Sequence, residues 1–290
     1  LFLKGGGTLS WRKDVLEKLR NGELRRLDWD DRFCFACQDE CMGRCCQKAD
    51  IHLDPWDLEV MARGLGMNTA DFVDAYAELQ IDPESRWPFA RLRHVAQGPC
   101  AFLDGRGLCR VYSLRPRNCR AYPVGRRVTM ARMANGEPQL QASFFLLQTP
   151  PACLGLYAAR EWSLREWLGA SGCMEHFRLS AEHLAVKALA RELKYHVWWE
   201  GPPHLLLMLF LFEPDLIREE FRITETEVSH VDLYRRRMQA LRLLLTDQAA
   251  RHGHFLETGT GEACTLDLAG TAPDILDWML NILRGEQPGG

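Results

Sequence analysis

Four cysteines fall within ten residues, Cys37-x3-Cys41-x3-Cys45-Cys46, in a run with neither helical nor strand periodicity. The pattern predicts a loop wrapped around a ligand. Cys34 lies just upstream, and Cys100, Cys109, Cys119 and Cys153 follow. Eleven cysteines in 290 residues exceed what packing requires, and their crowding points to thiolates gathered around metal. The odd total fits a disulfide framework poorly. In a reducing compartment such clusters are metal ligands or catalytic thiols.

Metal binding itself drives the deprotonation of a thiol. Four thiolates complete a tetrahedral zinc site with Zn–S near 2.3 Å, or hold a 4Fe–4S or 2Fe–2S cluster. Side chains of adjacent residues point to opposite faces of a strand, or about 100° apart on a helix. The pair Cys45-Cys46 therefore suits a larger object with several metal atoms, or two nearby sites. Eight candidate ligands are also twice what one zinc needs. An iron–sulfur or other multinuclear centre is favoured over a single structural zinc.

The chain is 47% hydrophobic and 26% charged, as an ordinary globular protein is. Its net charge of −3 hides an asymmetry. From Arg86 to Arg132 eleven arginines stand against one acid, Asp104, so that stretch is at +10 and the remainder at −13. Arg110, Arg115, Arg117 and Arg120 flank Cys109 and Cys119. Guanidinium groups there would offset an anionic thiolate centre. Arg115 and Arg120 are the candidates to hold an anionic cofactor or substrate instead. Nucleic acid is not expected, because the patch lacks a recognised module and the net charge is negative. The opening LFLKGGGTLS shows no signal-peptide core, and the longest apolar run, Leu205–Phe212, is eight residues against the roughly 18 needed to span a bilayer. A cytoplasmic location without a membrane span is the expectation.

The expected fold class is α+β, a cysteine-rich domain with short hairpins and helices followed by a mainly helical region. Its parts are an N-terminal segment and helix at 1–28, a metal-binding domain at 29–175 and a helical region at 176–290. A helix is predicted over Trp11–Leu27 and a short strand at Ile51–Leu53. Asp54-Pro55 opens a helix to about Gly64, and Asn68 or Thr69 caps another through about Leu79. Asp104–Gly107 supplies a hairpin turn that brings Cys100 and Cys109 together. A helical turn is expected over 114–119, a hairpin from 124–133 and 140–147, and a short helix to about Leu168 behind the capping box Ser163-Leu-Arg-Glu166. Helices are expected over 180–198, 204–222, 226–250 and 272–283, with a strand at Cys264–Leu268. His252-Gly-His254 reads as a helix-end surface feature, His52 as a strand position, and Trp162, Trp167, Trp198 and Trp199 as core.

The run Phe35-x-Cys37-x3-Cys41-x3-Cys45-Cys46-x4-Ile51-x-Leu53 resembles the opening of the YkgJ-type cysteine-cluster proteins, a zinc- or iron-chelating family. So do Gly64–Phe72, the run Cys100-x-Phe-Leu-x4-Gly-x-Cys109-x-Val-Tyr-x2-Arg115-Pro116-x2-Cys119-Arg120-x-Tyr122-Pro123, and Cys153-Leu-Gly with Arg160–Leu168. The resemblance covers about residues 33–170. It implies eight shared metal ligands: Cys37, Cys41, Cys45, Cys46, Cys100, Cys109, Cys119 and Cys153. The family includes flagellin lysine-N-methylases, so it also implies a possible enzyme using S-adenosylmethionine on a protein. Cys34, Cys173 and Cys264 fall outside the pattern, and Cys173 and Cys264 read as buried apolar positions.

Three functions follow as expectations. The first is an iron–sulfur or multinuclear iron or zinc centre with a redox or cofactor-dependent role, acting with a protein substrate or redox partner. The second is a lysine methyltransferase. The third is a zinc-stapled interaction module whose metal holds the fold. Whether the chain is an enzyme stays open at this level, and no catalytic residue is singled out.

Overall fold

The computed structural model describes residues 15, 17–47, 50–95, 98–132, 138–147, 153–198, 202–254 and 275–285. The expected strand at Cys264–Leu268, Cys264 itself and Trp199 lie outside these residues. The fold is α+β, as expected: three small antiparallel sheets and short helices, then a helical region.

The first helix, α1, ends at residue 20, and Gly22 follows at φ +70°. Glycine there terminates the helix. Leu27 therefore sits not on a long helix but in strand β1 (Arg26–Leu27), which pairs with β7 (Pro138–Leu146). β7 also pairs with β6 (Val124–Arg132) along the expected hairpin. Strand β2 (Arg32–Cys34) pairs with β8 (Glu161–Ser163). The third sheet orders β3 (His52–Leu53), β5 (Pro88–Leu92) and β4 (Ala77–Ile81).

Helix α2 (Pro55–Gly64) begins as predicted, with Asp54 accepting from the Asp57 N–H and Asp57 returning the bond. Helix α3 (Thr69–Tyr76) is capped by Asn68 but stops three residues short of Leu79. Residues 77–81 instead pair with β5 along their length, so tertiary pairing overrides local helical preference. The Cys100–Cys109 segment is a tight turn held by the Gly107 N–H on the Asp104 carbonyl at 3.0 Å, with one bridge between Leu103 and Cys109, rather than a strand hairpin. Helix α4 (Arg117–Ala121) follows it, and α5 (Leu164–Ala170) opens on the Ser163–Glu166 capping box.

The helical region begins earlier than its periodicity suggests. Helix α6 spans Cys173–Glu192, and the chain breaks at Lys194, φ +56°, before α7 (Tyr195–Trp198). Pro214 ends the next predicted helix midway, giving α8 (Pro202–Phe212) and α9 (Pro214–Glu220). Ser229 caps α10 (His230–Arg251), and α11 covers Ile275–Arg284. One apolar cluster joins Leu53, Leu58 and Phe72 to Leu179, Val186, Tyr234 and Leu241. A smaller one, around Leu27, Phe33, Phe144, Leu164 and Cys173, underlies the first two sheets. Among the described residues no helix is long and apolar enough to cross a membrane.

Candidate metal centre

The thiol loop is two successive 3-10 turns, Asp39–Cys41 and Arg44–Cys46, joined at Gly43. Gly43 has φ +76°, and a Cβ there would lie 2.8 Å from the Gly107 carbonyl oxygen. Only glycine permits that crossing. The two ends of the loop are tied to different parts of the chain. At one end the Ala36 N–H donates to the Gly155 carbonyl at 3.1 Å, setting Cys37 beside Cys153. At the other the Cys100 N–H donates to the Cys46 carbonyl at 2.9 Å.

The thiols follow that division. Burial raises the Cys37 thiol above its ordinary value, and the neighbouring thiolates of Cys45, Cys153 and Cys41 add to it. Cys100 and Cys119 face Cys46, and Cys109 faces both Cys100 and Cys119. Cys37 thus interacts with Cys41, Cys45 and Cys153, and Cys46 with Cys100 and Cys119, which in turn both interact with Cys109. The seam is the pair Cys45-Cys46, whose sulfurs are 4.0 Å apart, closer than backbone divergence alone suggests. The contact between the two sulfurs pulls Cys45 down to about 6 and pushes Cys46 up. Burial pushes Cys119 up to about 12. All ten described cysteines are free thiols.

Arg115 lies between the groups. Its charge favours the thiolates of Cys37, Cys45 and Cys119, and its guanidinium stacks 3.5 Å above the Tyr112 ring. Arg120 turns to the backbone instead, donating to the carbonyls of Arg115 at 2.5 Å, Ser171 at 3.4 Å and Ser113. It fixes the loop that carries Arg115.

Helix α4, which carries Cys119, rests on a buried ion network. The Arg117 guanidinium pairs with Asp57 and, at 2.5 Å, with Asp54, while the Arg117 N–H donates to Asp57 at 2.8 Å. His176 of α6 stands 3.2 Å from the same Asp57 carboxylate. Burial favours protonation of both acids. Arg117 and His176 outweigh it at Asp57, which is held below the usual range, whereas Asp54 is pushed up to about 6. Asp57 and His176 carry no sequence motif; only their meeting across 119 residues identifies them. Trp162 and Trp167 are packed as core, and they also brace the site through bonds to the Phe35 carbonyl at 2.9 Å and the Ala121 carbonyl at 2.8 Å. Cys173 is fully buried near the Arg117 carbonyl, and Cys34 lies in β2. His252 stacks on Trp198 at a helix end, and His52 stacks on Phe89.

Soft thiols, exposed at Cys37 and Cys45 and half-buried at the other six positions, fit a thiophilic cation, which would relieve the repulsion among their deprotonated forms. Among the described residues no three His, Cys, Asp or Glu side chains converge on one point as a single ion would require. No curated protein and no solved structure matches the chain. Residues 36–143 match the family model CxxCxxCC, described as a "Putative zinc- or iron-chelating domain"; the chain has three residues in each gap where that name writes two. In this match and in its thiol loop, the stretch 36–143 is similar to that cysteine-cluster family.

Proposed function

We propose that the chain is a metalloprotein whose eight cysteines hold a multinuclear iron or zinc centre, with an iron–sulfur form favoured. The observation that carries this reading is the pair of thiol groupings, around Cys37 and around Cys46, joined at Cys45-Cys46. Four thiolates satisfy one zinc or one cluster, and a seam of adjacent sulfurs lets two metal-bearing halves touch. Bound iron would supply one-electron redox chemistry, and zinc would supply cross-linking of the fold. Arg115 offsets the charge of the thiolates, Arg120 positions it, and the Arg117–Asp57 pair holds Cys119 in place.

Anaerobic purification with metal and acid-labile sulfide analysis tests this. More than one metal atom per chain is expected, falling in C37S and in C119S and unchanged in C34S. One zinc without sulfide, or no metal, sinks the multinuclear reading.

A further inference from the structure

The sheet β1-β7-β6 carries one charge where its pattern calls for an apolar side chain. Arg126 is directly opposite Phe144, and Phe144 is opposite Leu27, both buried on the face toward α6. A charge on the covered face of a strand violates the alternation that builds a core, and such violations concentrate at functional sites. Arg127, one position on, is exposed on the other face as the alternation predicts.

The Arg126 guanidinium lies 4.4 Å above the Phe177 ring, and its buried Nε has no hydrogen-bond partner among the described residues. The carboxylate facing it, Asp54, is already paired with Arg117 at 2.5 Å. Burial and the charge of Arg117 lower its proton affinity to about 10. A buried donor left unpaired is costly, and an anion meeting this guanidinium would offset its charge.

Arg126 also lines a cleft of about 820 Å³, within the size range of small-molecule sites. Its aromatic walls are Trp29, Phe144 and Phe177. Trp29 and Met174 are 40% and 48% exposed at its rim. The other lining charges are matched: Arg26 lies 4.0 Å from Asp28, and Arg178 lies 3.9 Å from Glu175. Among the described lining residues, Arg126 is therefore the cation without an ion pair of its own, set among rings.

We infer that this cleft is a binding site for a small organic anion, a carboxylate, sulfonate or phosphate ester carried on a flat apolar body, with Arg126 as the anion-binding residue. The anionic group meets the guanidinium while the body lies between Trp29 and Phe177. None of the eight candidate metal ligands lines the cleft, and the inference does not rest on the metal reading.

Calorimetric titration of the full chain with 2-naphthoate and with its neutral isostere 2-naphthamide tests it. Naphthoate binds at least tenfold more tightly than naphthamide. R126M abolishes that preference, and R126K retains part of it. The comparison of the two probes on the natural chain stands even where a variant misfolds. Equal binding of the probes, no binding of either, or an undiminished preference in folded R126M overturns the inference.

Discussion

His183 is buried with its ring neutral, because the Trp87 Nε1–H donates to its Nε2 at 3.2 Å. Burial, Lys187 and Arg117 all disfavour the charged ring, outweighing Asp57, and bring its value to about 3 from 6.5. Between those limits the unfolded chain binds the extra proton. The stabilisation is therefore complete above 6.5 and is lost as pH falls toward 3, by about 1.4 kcal/mol per pH unit. Urea unfolding midpoints at pH 7 and pH 5 are expected to fall further apart in the natural chain than in H183Q, whose amide oxygen still accepts from Trp87. An identical pH response in the two removes His183 as the cause. The same residue scale shows what a sequence conceals. The thiol loop was legible because its spacing fits neither a helix nor a strand. Asp57, Arg117 and His176 were not, since a lone acid, arginine or histidine acquires meaning only from the partner it meets.

At the scale of the element, helix starts were legible wherever a side chain caps them. Asp54, Asn68 and Ser163 each accept from the residue three ahead, as their sequence predicts. Ends were less so. Helix α3 gives way to β4 because Ala77–Ile81 finds a partner strand, which no local pattern reveals. The thiol loop depends on the same kind of meeting, where Gly43 crosses Gly107. In G43A a Cβ is forced on a left-handed backbone, costing about 1–2 kcal/mol, and on the Gly107 carbonyl as well. A lower urea midpoint and reduced metal content are expected together. A variant with both unchanged shows that the crossing does not hold the loop.

Across the whole molecule, the helices of the C-terminal region cover the thiol-bearing part. Tyr234 of α10 packs on Trp56 at 5.2 Å, and Tyr195 on Trp87 at 5.6 Å. Arg237 reaches the buried Glu59 carboxylate. A chain ended at residue 175 loses these lids, exposes the apolar faces of Trp56 and Trp87, and leaves Glu59 without Arg237. Such a fragment is expected to unfold without a cooperative urea transition by circular dichroism; a sharp transition at the full chain's midpoint contradicts this. By itself, the sequence determined the clustering of the thiols, the α+β composition and the capped helix starts, because each is set by residue type over a few positions. Only tertiary structure decided which thiols face which, that Arg126 is left unpaired beside a cleft, and where α3 yields to a strand. Those depend on distances between residues far apart in the chain, and packing sets such distances, not spacing.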